Sequence, residues 1–343
     1  MKKIRVAQIG CGHDHATAMW GSLNRLSNDV FDIAGYHLPE EEKELYPERV
    51  KAFEGAKELS LDEILSDPAI TAVVVETQEI SLTKYSLLCA QHGKHIQMDK
   101  PGGLDAALFE KLVRTMKEKG LVFHLGYMYR YNEAVMDLMG RIERGELGEI
   151  YCVEAHMDCR HKPEKRQWLS AFPGGMLFFL GCHLIDLIFR IQGMPEKILP
   201  LSTCTRFDGV TAEDYGMAVF QYKNGQSFTK TCAQEMGGYA RRQLVVCGEK
   251  ETIEIKPLEM YDPEEHRLLY SDVTVYTSPV WGDQGAAHRT PSRDRYDTMM
   301  TAFAQMVNGE KENPYSYEYE LALYRVLLAA CGVEIDYKQE IRM

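Results

Sequence analysis

Apolar runs of strand length alternate with helical patterns over the first 125 residues of the chain. The runs predict strands at 4–9, 31–36, 69–75, 95–98 and 122–125. Helical patterns lie between them at 16–26, 40–53, 61–65, 83–92 and 104–119. Strands that alternate with helices through short connections pair in parallel, and helices cover both faces of the sheet. We therefore predict a doubly wound parallel α/β sheet in the N-terminal part.

After about residue 125 the pattern changes, and strand follows strand. The predicted strands lie at 150–158, 214–222, 227–235, 242–247 and 252–256. Helices are predicted at 133–144, 176–192, 293–307 and 317–334, and 263–289 is predicted to be largely loop. Hairpin turns such as Lys223-Asn224-Gly225 join antiparallel strands. We predict an N-terminal domain of residues 1–124 and a C-terminal α+β domain of residues 125–343, with a mostly antiparallel sheet.

The composition is that of a soluble globular protein with two domains. The chain has 343 residues, of which 45% are hydrophobic and 26% are charged. Its 39 basic and 51 acidic side chains give a net charge of −12. This balance argues against nucleic acid, and against an anionic membrane surface, as the main partner.

The cysteines and the N-terminus indicate a reducing, cytoplasmic location. The nine cysteines form no CxxC pair, and several lie in apolar stretches, as free buried thiols do. The two N-terminal lysines are not followed by the apolar run of a secretion signal. The longest apolar stretch, 176–189, is too short to span a bilayer and contains His183 and Asp186.

Gly10-Cys11-Gly12 lies between the first predicted strand and the first predicted helix. In this place two glycines allow a tight turn and a close approach of the backbone to a pyrophosphate, which the helix N-terminus binds. His15 stands where a third glycine is usual, and Asp14 adds an anion to the loop. The acid that often ends the second strand is missing, because that strand ends in Tyr36-His37. The alternative is an ordinary strand–helix turn.

His13-Asp14-His15 is a candidate constellation of its own. Alternate residues of an extended loop can present two imidazoles to one metal ion, but further ligands would have to come from elsewhere, such as His183, Glu76 or Asp158. In the other interpretation, one histidine caps the helix or stacks on a cofactor. We expect no metal, and keep His13, His15 and His183 as the alternative.

Asp99-Lys100-Pro101 follows the predicted strand 95–98, at the edge where open α/β sheets bind their ligands. A lysine there can polarise a substrate oxygen while the neighbouring acid positions it. An ordinary surface turn is the alternative.

His183 and Asp186 lie three residues apart in the most apolar predicted helix. The pair is either a satisfied core pair or part of a site, in which the histidine could take a proton from a hydroxyl group.

These motifs, in this order, resemble the Gfo/Idh/MocA family of NAD(P)-dependent sugar oxidoreductases. The segments that carry the resemblance are VAQIGCG at 6–12, GKHIQMDKP at 93–101, GELGEI at 145–150 and GGMLFFLGCHLID at 174–186. Two short turns, at 224–225 and 248–250, fall in the predicted antiparallel sheet. The resemblance implies an N-terminal Rossmann domain, a C-terminal α+β domain with a large open sheet, and a homodimer or homotetramer.

The resemblance also implies roles for particular residues. Lys100 and His183 correspond to the catalytic lysine and histidine, while Asp99 replaces a glutamate, and Phe179 replaces the aspartate that usually assists the histidine. We predict that the cofactor contacts Gly10, Cys11, Gly12, His13, His15, Tyr36, Glu76, Asp99 and Lys100. We predict that the substrate contacts Tyr127, Arg130, Asp158, Trp168, Phe179 and His183. Core packing is the alternative for each of the aromatic side chains.

The predicted function is hydride transfer between a nicotinamide cofactor and a sugar, a cyclitol or a derivative. NAD is preferred to NADP, because the acidic run Glu40-Glu41-Glu42 would repel a 2′-phosphate. One alternative is a non-redox glycosidase or lyase that uses a retained nicotinamide or a metal. The other is a sugar- or nucleotide-binding protein without catalysis. The predicted partner is a small carbohydrate.

Overall fold

A computed structural model describes residues 2–265 and 267–341. They divide into two compact units. The first unit contains the chain up to Met128, Tyr296–Ala322 and the residues from Glu340 on. The second contains Tyr129–Arg295 and Leu323–Gln339.

The strands are β1 (Ile4–Ile9), β2 (Phe31–His37), β3 (Ala72–Val75), β4 (His95–Met98), β5 (Phe123–Leu125), β6 (Ile150–Asp158), β7 (Lys197–Pro200), β8 (Tyr215–Tyr222), β9 (Gly225–Cys232), β10 (Gln243–Gly248), β11 (Thr252–Ile255), β12 (Met260–Asp262), β13 (Arg267–Tyr270), β14 (Asp272–Tyr276), β15 (Ala286–Arg289) and β16 (Arg293–Asp294). The α-helices are α1 (Ala16–Arg25), α2 (Glu40–Leu45), α3 (Pro47–Val50), α4 (Leu61–Ser66), α5 (Leu82–Gln91), α6 (Ala106–Glu118), α7 (Glu133–Glu143), α8 (Pro163–Trp168), α9 (Cys182–Gln192), α10 (Asp297–Val307) and α11 (Tyr317–Ala330).

The first unit contains a parallel sheet with the strand order β2-β1-β3-β4-β5. Every residue of β3 is buried, as expected for a strand that is covered on both faces. The predicted parallel α/β fold is confirmed. The chain leaves β1 to one side for β2 and later to the other side for β3, and this reversal opens a crevice at the carboxyl ends of β1 and β3.

The predicted helix 40–53 is wrong in one respect, because it is broken. It consists of α2, α3 and a short 3-10 turn at Lys51–Phe53. Pro47 begins α3, and Tyr46 before it has a non-helical backbone (φ −128°, ψ 52°). The ring of a proline excludes the helical conformation from the residue that precedes it.

The second unit contains an eight-stranded sheet with the order β15-β14-β11-β10-β6-β9-β8-β7. Its pairs are antiparallel except for the parallel pair β6–β9. The predicted mostly antiparallel sheet is confirmed. The predicted loop 263–289 is wrong, because β13, β14 and β15 lie there. All four residues of β15 are exposed, so backbone pairing with β14 holds the strand and no apolar pattern marks it.

The predicted helix 176–192 begins with a π-helical turn at Leu177–Gly181 and continues as α9. The turn that precedes it requires glycine. Gly175 has φ +49°, and a Cβ there would lie 2.1 Å from the carbonyl oxygen of Glu213. This close packing fixes the start of the segment that carries His183.

The predicted boundary after residue 124 places α10 in the C-terminal domain, whereas Tyr296–Ala322 belong to the first unit. Asp297 accepts hydrogen bonds from Ser22 Oγ (2.6 Å) and Arg25 Nη2 (2.7 Å) of α1. Phe303 stacks on His124, with 5.9 Å between the ring centroids. These contacts join residues far apart in the sequence, so no local pattern reveals them. Among the described residues, no helix combines the length and the apolar character that crossing a membrane requires.

Candidate active site

The loop after β1 has the geometry of a nucleotide-binding turn. Gly10 has φ +93°, and a Cβ there would lie 2.5 Å from the backbone nitrogen of Thr77, which follows β3. Only glycine combines this backbone conformation with such a close approach. The loop therefore lies at the crevice between the carboxyl ends of β1 and β3.

A side-chain carboxylate is bound in this loop. Glu42 Oε2 accepts hydrogen bonds of 2.8 Å from the backbone N–H groups of both Cys11 and Gly12. Glu42 Oε1 accepts one of 2.7 Å from the N–H of Gln78. Glu42 is only 1% exposed. Burial raises the pKa of Glu42, and the three N–H donors offset part of that rise.

Arg49 supports the same loop from α3. Its Nη1 donates to the carbonyl oxygens of Gly12 (2.6 Å) and Cys11 (3.2 Å), and its Nη2 lies 2.5 Å from Asp14 Oδ1. The negative charge of Asp14 is therefore paired with Arg49. This contact accounts for the acid that the sequence places in an anion-binding loop.

The loop fits the pyrophosphate of a nicotinamide nucleotide. Glu42 is a stand-in anion, because its carboxylate already occupies the N–H groups of Cys11 and Gly12 that would hold the phosphates. A nucleotide would bind them after Glu42 moves. This role of Glu42 is not apparent from the sequence, although the acidic run Glu40-Glu41-Glu42 that follows β2 signals it.

His13, His15 and Asp99 lie together beside this loop. His15 Nδ1 is 3.0 Å from Asp99 Oδ2, and His13 Nδ1 is 3.2 Å from the same oxygen. Burial lowers the pKa of His15 to about 4, so its imidazole is neutral at neutral pH. Burial alone would raise the pKa of Asp99, but the two histidines lower it well below its usual range. The structure thus brings together three residues predicted to contact the cofactor.

Two further carboxylates face this group. Glu76, at the end of β3, is fully buried, and its Oε2 lies 3.7 Å from His13 Nδ1. Burial, and then the neighbouring Asp99, raise the pKa of Glu76 well above its usual range. Glu79, which the sequence analysis did not select, lies with its Oε1 3.7 Å from His13 Nε2.

Lys100 is the second residue after β4, at the same edge of the sheet. Its side chain is buried, its N–H donates to Asp99 Oδ1 (2.7 Å), and its carbonyl oxygen lies 3.1 Å from His13 Nε2. A buried ammonium group at this edge can stabilise negative charge on a substrate oxygen.

Two other predicted residues of the first unit, Tyr36 and Tyr127, are buried, and their contacts with cofactor and substrate stay predictions. The ring of Tyr36 packs on Trp20 and Phe53, with centroid distances of 5.8 and 4.9 Å. These contacts account for its burial without a nucleotide. Tyr127 is 2% exposed and follows β5.

In the second unit, His183 lies in the first turn of α9 and is 1% exposed. The ring of Tyr129 meets His183 edge-on, with 5.1 Å between the centroids. The Tyr129 hydroxyl donates to Glu259, and it accepts a hydrogen bond of 2.9 Å from Arg242 Nη1.

Glu259 is the centre of this buried network. It accepts from Arg242 Nη1 (2.5 Å) and Arg295 Nε (2.9 Å). The sequence analysis selected none of Glu259, Arg242 and Arg295, because no short motif joins them. Their ion pairs hold the Tyr129 ring against His183.

Arg130 has a structural contact that its predicted substrate role did not anticipate. Its guanidinium forms a buried ion pair with Asp186, with Nη2–Oδ1 at 2.7 Å and Nε–Oδ1 at 3.0 Å. Both side chains are almost completely buried. The carboxylate of Asp186 is therefore paired with Arg130, and the catalytic role of His183 stays a prediction.

Phe179 and Trp168 belong to one aromatic cluster. Trp168 packs edge-on against Phe179 (5.4 Å) and against Phe172 (4.7 Å). Lys165 Nζ lies 3.8 Å from the centroid of the Trp168 ring and 4.7 Å from that of Phe179. A phenyl group cannot accept a proton, so Phe179 does not supply the carboxylate that the resemblance implies at this position.

Asp158 is fully buried at the end of β6 and lies 3.3 Å from Lys230 Nζ. Burial raises its pKa, and Lys230 offsets part of that rise. The contact with Lys230 involves Oδ2, whereas Oδ1 is buried without a hydrogen-bond partner among the described residues. Its predicted contact with the substrate stays a prediction.

Comparison with known proteins gives two family matches. Residues 4–127 match the oxidoreductase family with an NAD-binding Rossmann fold, and residues 135–254 match the GFO/IDH/MocA C-terminal domain. The chain is 30% identical over 165 residues to scyllo-inositol 2-dehydrogenase (NADP(+)) IolW of Bacillus subtilis, covering 46% of each chain. It is 29% identical over 178 residues to trans-1,2-dihydrobenzene-1,2-diol dehydrogenase of Bos taurus, covering 51% of this chain and 52% of that one.

The matched regions thus span about half the length of these curated relatives. Among solved structures, aldose-aldose oxidoreductase from Caulobacter crescentus superimposes with a TM-score of 0.76 at 17% identity, over 96% of this chain and 98% of that one. That likeness concerns the fold. With the two domain matches in sequence order, the chain belongs to the Gfo/Idh/MocA family of oxidoreductases.

Proposed function

We propose that the protein is an NAD(P)-dependent dehydrogenase that oxidises a hydroxyl group of a sugar, a cyclitol or a related diol, or reduces the corresponding carbonyl. The observation that carries the proposal is the anion-binding loop at the β1–β3 crevice, at the same sheet edge as the buried Lys100. The substrate class follows the cyclitol and diol named for the relatives in Bacillus subtilis and Bos taurus.

In this proposal a bound nicotinamide supplies the acceptor for the hydride. The ammonium of Lys100 stabilises the negative charge that develops on the substrate oxygen. His183 accepts the hydroxyl proton, and Tyr129, fixed by Glu259 and Arg242, restrains the imidazole ring. His183 acts without a carboxylate at position 179, where Phe179 packs against Trp168.

We favour NAD as the nucleotide. Support comes from the end of β2, where Tyr36-His37 offers no guanidinium to a 2′-phosphate. Lys43 of α2 forms ion pairs with Glu40 (2.9 Å) and Glu58 (2.5 Å), so its charge is already engaged. Fluorescence titration with NADH and with NADPH tests this preference. A tighter complex with NADPH would reverse it.

Turnover of a panel of cyclitols, aldoses and cyclic diols with either nucleotide tests the reaction. We expect Lys100→Ala and His183→Ala each to lower kcat by about 10²–10⁴-fold, the contribution typical of general acid–base catalysis. Lys84→Ala and His92→Ala change exposed side chains of the first unit and serve as controls. A protein that binds neither nucleotide, or variants that turn over at the wild-type rate, would contradict the proposal.

A non-redox enzyme on the same scaffold is the second candidate. Phe179 favours it, because position 179 carries an aromatic ring that packs on Trp168 and Phe172 in place of the aspartate that the resemblance implies. Substrate loss without a net change in nicotinamide absorbance would support this candidate. For assembly we propose a homodimer or homotetramer, which light scattering of the full chain would measure.

A further inference from the structure

A buried group of side chains beside the glycine loop has the donors and the spacing of a metal site. We propose that His13, His15, Asp99 and Glu76 bind one divalent transition-metal ion, with Zn²⁺ as the best fit. The ligand atoms are Nδ1 of both histidines and one oxygen of each carboxylate. Two imidazole nitrogens and two carboxylate oxygens form a donor set that suits zinc and its first-row neighbours.

The distances between the donor atoms support this assignment. Asp99 Oδ2 lies 3.0 Å from His15 Nδ1 and 3.2 Å from His13 Nδ1, and His13 Nδ1 lies 3.7 Å from Glu76 Oε2. Ligand atoms bound tetrahedrally to zinc at about 2.0–2.1 Å are about 3.3 Å apart. The ligand atoms of His13, His15 and Asp99 all lie within 4.8 Å of one another. One cation between His13, His15 and Asp99 can therefore reach all three with small side-chain adjustments, and Glu76, which lies on the side of His13, completes the set by moving toward it.

The hydrogen bonding of His13 fixes which nitrogen can bind the metal. Its Nε2 lies 3.1 Å from the carbonyl oxygen of Lys100, which can only accept, so Nε2 carries the proton. In a neutral imidazole, Nδ1 then presents a lone pair, which accepts a hydrogen bond of 3.2 Å from the backbone N–H of His15 and also lies beside the oxygens of Asp99 and Glu76. A cation placed between this lone pair and the two carboxyl groups would be attracted by all three. Metal-bound histidines usually donate their other N–H in this way.

Two buried carboxylates beside His13 have oxygens that lack hydrogen-bond partners in the described part of the chain. Glu76 is fully buried, and neither of its side-chain oxygens has a hydrogen-bond partner within the described part of the chain. Glu79 is 2% exposed, and its Oε1 is likewise unsatisfied among the described residues. Burying carboxylates without partners is costly. A divalent cation would satisfy Glu76 directly and would favour its ionised form.

The proposed metal site differs from the anion site of the same loop. The anion site consists of the backbone N–H groups of Cys11 and Gly12, whereas the metal ligands are side chains. Metal binding can therefore be measured in the absence of nucleotide and substrate. A metal site is also a property that the proposed dehydrogenase function does not include. Either proposal can fail while the other holds.

The test is a titration of the chelator-treated full chain with Co²⁺, which replaces zinc and is visible by absorption. We expect one equivalent to bind, with the strong visible bands of four-coordinate cobalt, and Zn²⁺ to displace it. Glu76→Gln and His15→Ala are each expected to weaken binding at least tenfold. His92→Ala removes an exposed imidazole from the same unit and is expected to bind as the wild type does.

A second cluster in the other unit requires its own control. Cys152, Glu154 and Cys247 also place their ligand atoms within 4.8 Å of one another. Cobalt bound to a thiolate gives an additional near-ultraviolet charge-transfer band, so the titration is repeated with Cys247→Ser. Circular dichroism checks that the variants fold. His15, whose side chain is 15% exposed, provides the second test if Glu76→Gln is unstable.

Two results would overturn the proposal. One is a wild-type protein that takes up no stoichiometric Co²⁺ or Zn²⁺, which would mean that hydrogen bonds within the group hold these side chains together without a metal. The other is undiminished binding in both ligand variants.

Discussion

Glu42 accepts a hydrogen bond of 2.8 Å from the backbone N–H of Gly12, the group that a nucleotide pyrophosphate would also use. The carboxylate is buried and is held at its other oxygen by Gln78. The first unit thus carries its own anion in the place where a cofactor phosphate would bind. The affinity for a nucleotide should depend on how easily the Glu42 carboxylate moves away from the N–H groups of Cys11 and Gly12.

We expect Glu42→Gln to tighten the binding of NADH by about tenfold, which corresponds to about 1.4 kcal/mol. The neutral amide is a weaker competitor for the N–H groups, since hydrogen bonds to a charged acceptor are the stronger ones. Fluorescence titration of wild type and variant measures the change.

The neighbouring Glu41 is exposed and offers a matched control. Glu41→Gln removes the same charge from the same helix without touching the loop. Equal tightening in both variants would mean that the acidic helix repels the nucleotide at long range and that the contact with Gly12 is not the cause.

The affinity for NAD⁺ is expected to depend on pH through Glu42. Burial raises its pKa above that of a free glutamate, so Glu42 takes up a proton as the pH falls toward this raised value. The protonated form holds the N–H groups less tightly, and NAD⁺ should bind more tightly at lower pH. Calorimetry over a pH series should show this trend in the wild type. The slope should disappear in Glu42→Gln, and a slope shared by both proteins would assign it to another group.

Asp186→Asn is expected to destabilise the protein by about 3–5 kcal/mol, because it leaves the buried guanidinium of Arg130 without its counter-charge. Urea unfolding of both proteins at neutral pH gives the difference. Arg144→Met breaks a surface ion pair with Glu146, and we expect it to cost about 1 kcal/mol or less. If Asp186→Asn is as stable as the wild type but loses turnover, the Arg130–Asp186 ion pair contributes to the substrate site and not to stability.

Glu259→Gln is expected to lower both stability and turnover. Two buried arginines, Arg242 and Arg295, would lose their counter-charge, at a cost of about 3–5 kcal/mol. Burial alone would raise the pKa of Glu259, but Arg295 and Arg242 lower it below its usual value. The stabilisation is therefore fully present above the pKa of a free glutamate and is lost as the pH falls through the lower folded value.

Urea unfolding from pH 7 down to pH 3 measures this dependence on pH. The loss of stability toward acid should be smaller in Glu259→Gln than in the wild type. Equal acid sensitivity of the two proteins would contradict the assignment.

Local sequence patterns predicted the parallel sheet well. The predicted strands 4–9 and 95–98 coincide with β1 and β4, because apolar runs next to glycine or proline mark both. The contact of Glu42 with the glycine loop could not be predicted in the same way, since about 30 residues separate the partners. The break at Pro47 was predictable, because a proline restricts the residue before it wherever it stands.

The sequence could predict which loops form the candidate site, but it could not predict which side chains of those loops contact one another. His13, His15 and Asp99 were selected separately, and the structure brings their side chains together because β1 and β4 end at the same sheet edge. Arg130 was selected for its place after the last strand of the sheet. Its pairing with Asp186 depends on a helix more than 50 residues further along the chain.

The return of Tyr296–Ala322 to the first unit has a consequence for synthesis on the ribosome. The nascent Rossmann part lacks Asp297, which holds Ser22 and Arg25, and Phe303, which covers His124, until most of the chain has been made. The first unit is therefore complete only after Tyr296–Ala322 has been synthesised. A fragment that stops at Met128 would leave those surfaces open to aggregation or to chaperones.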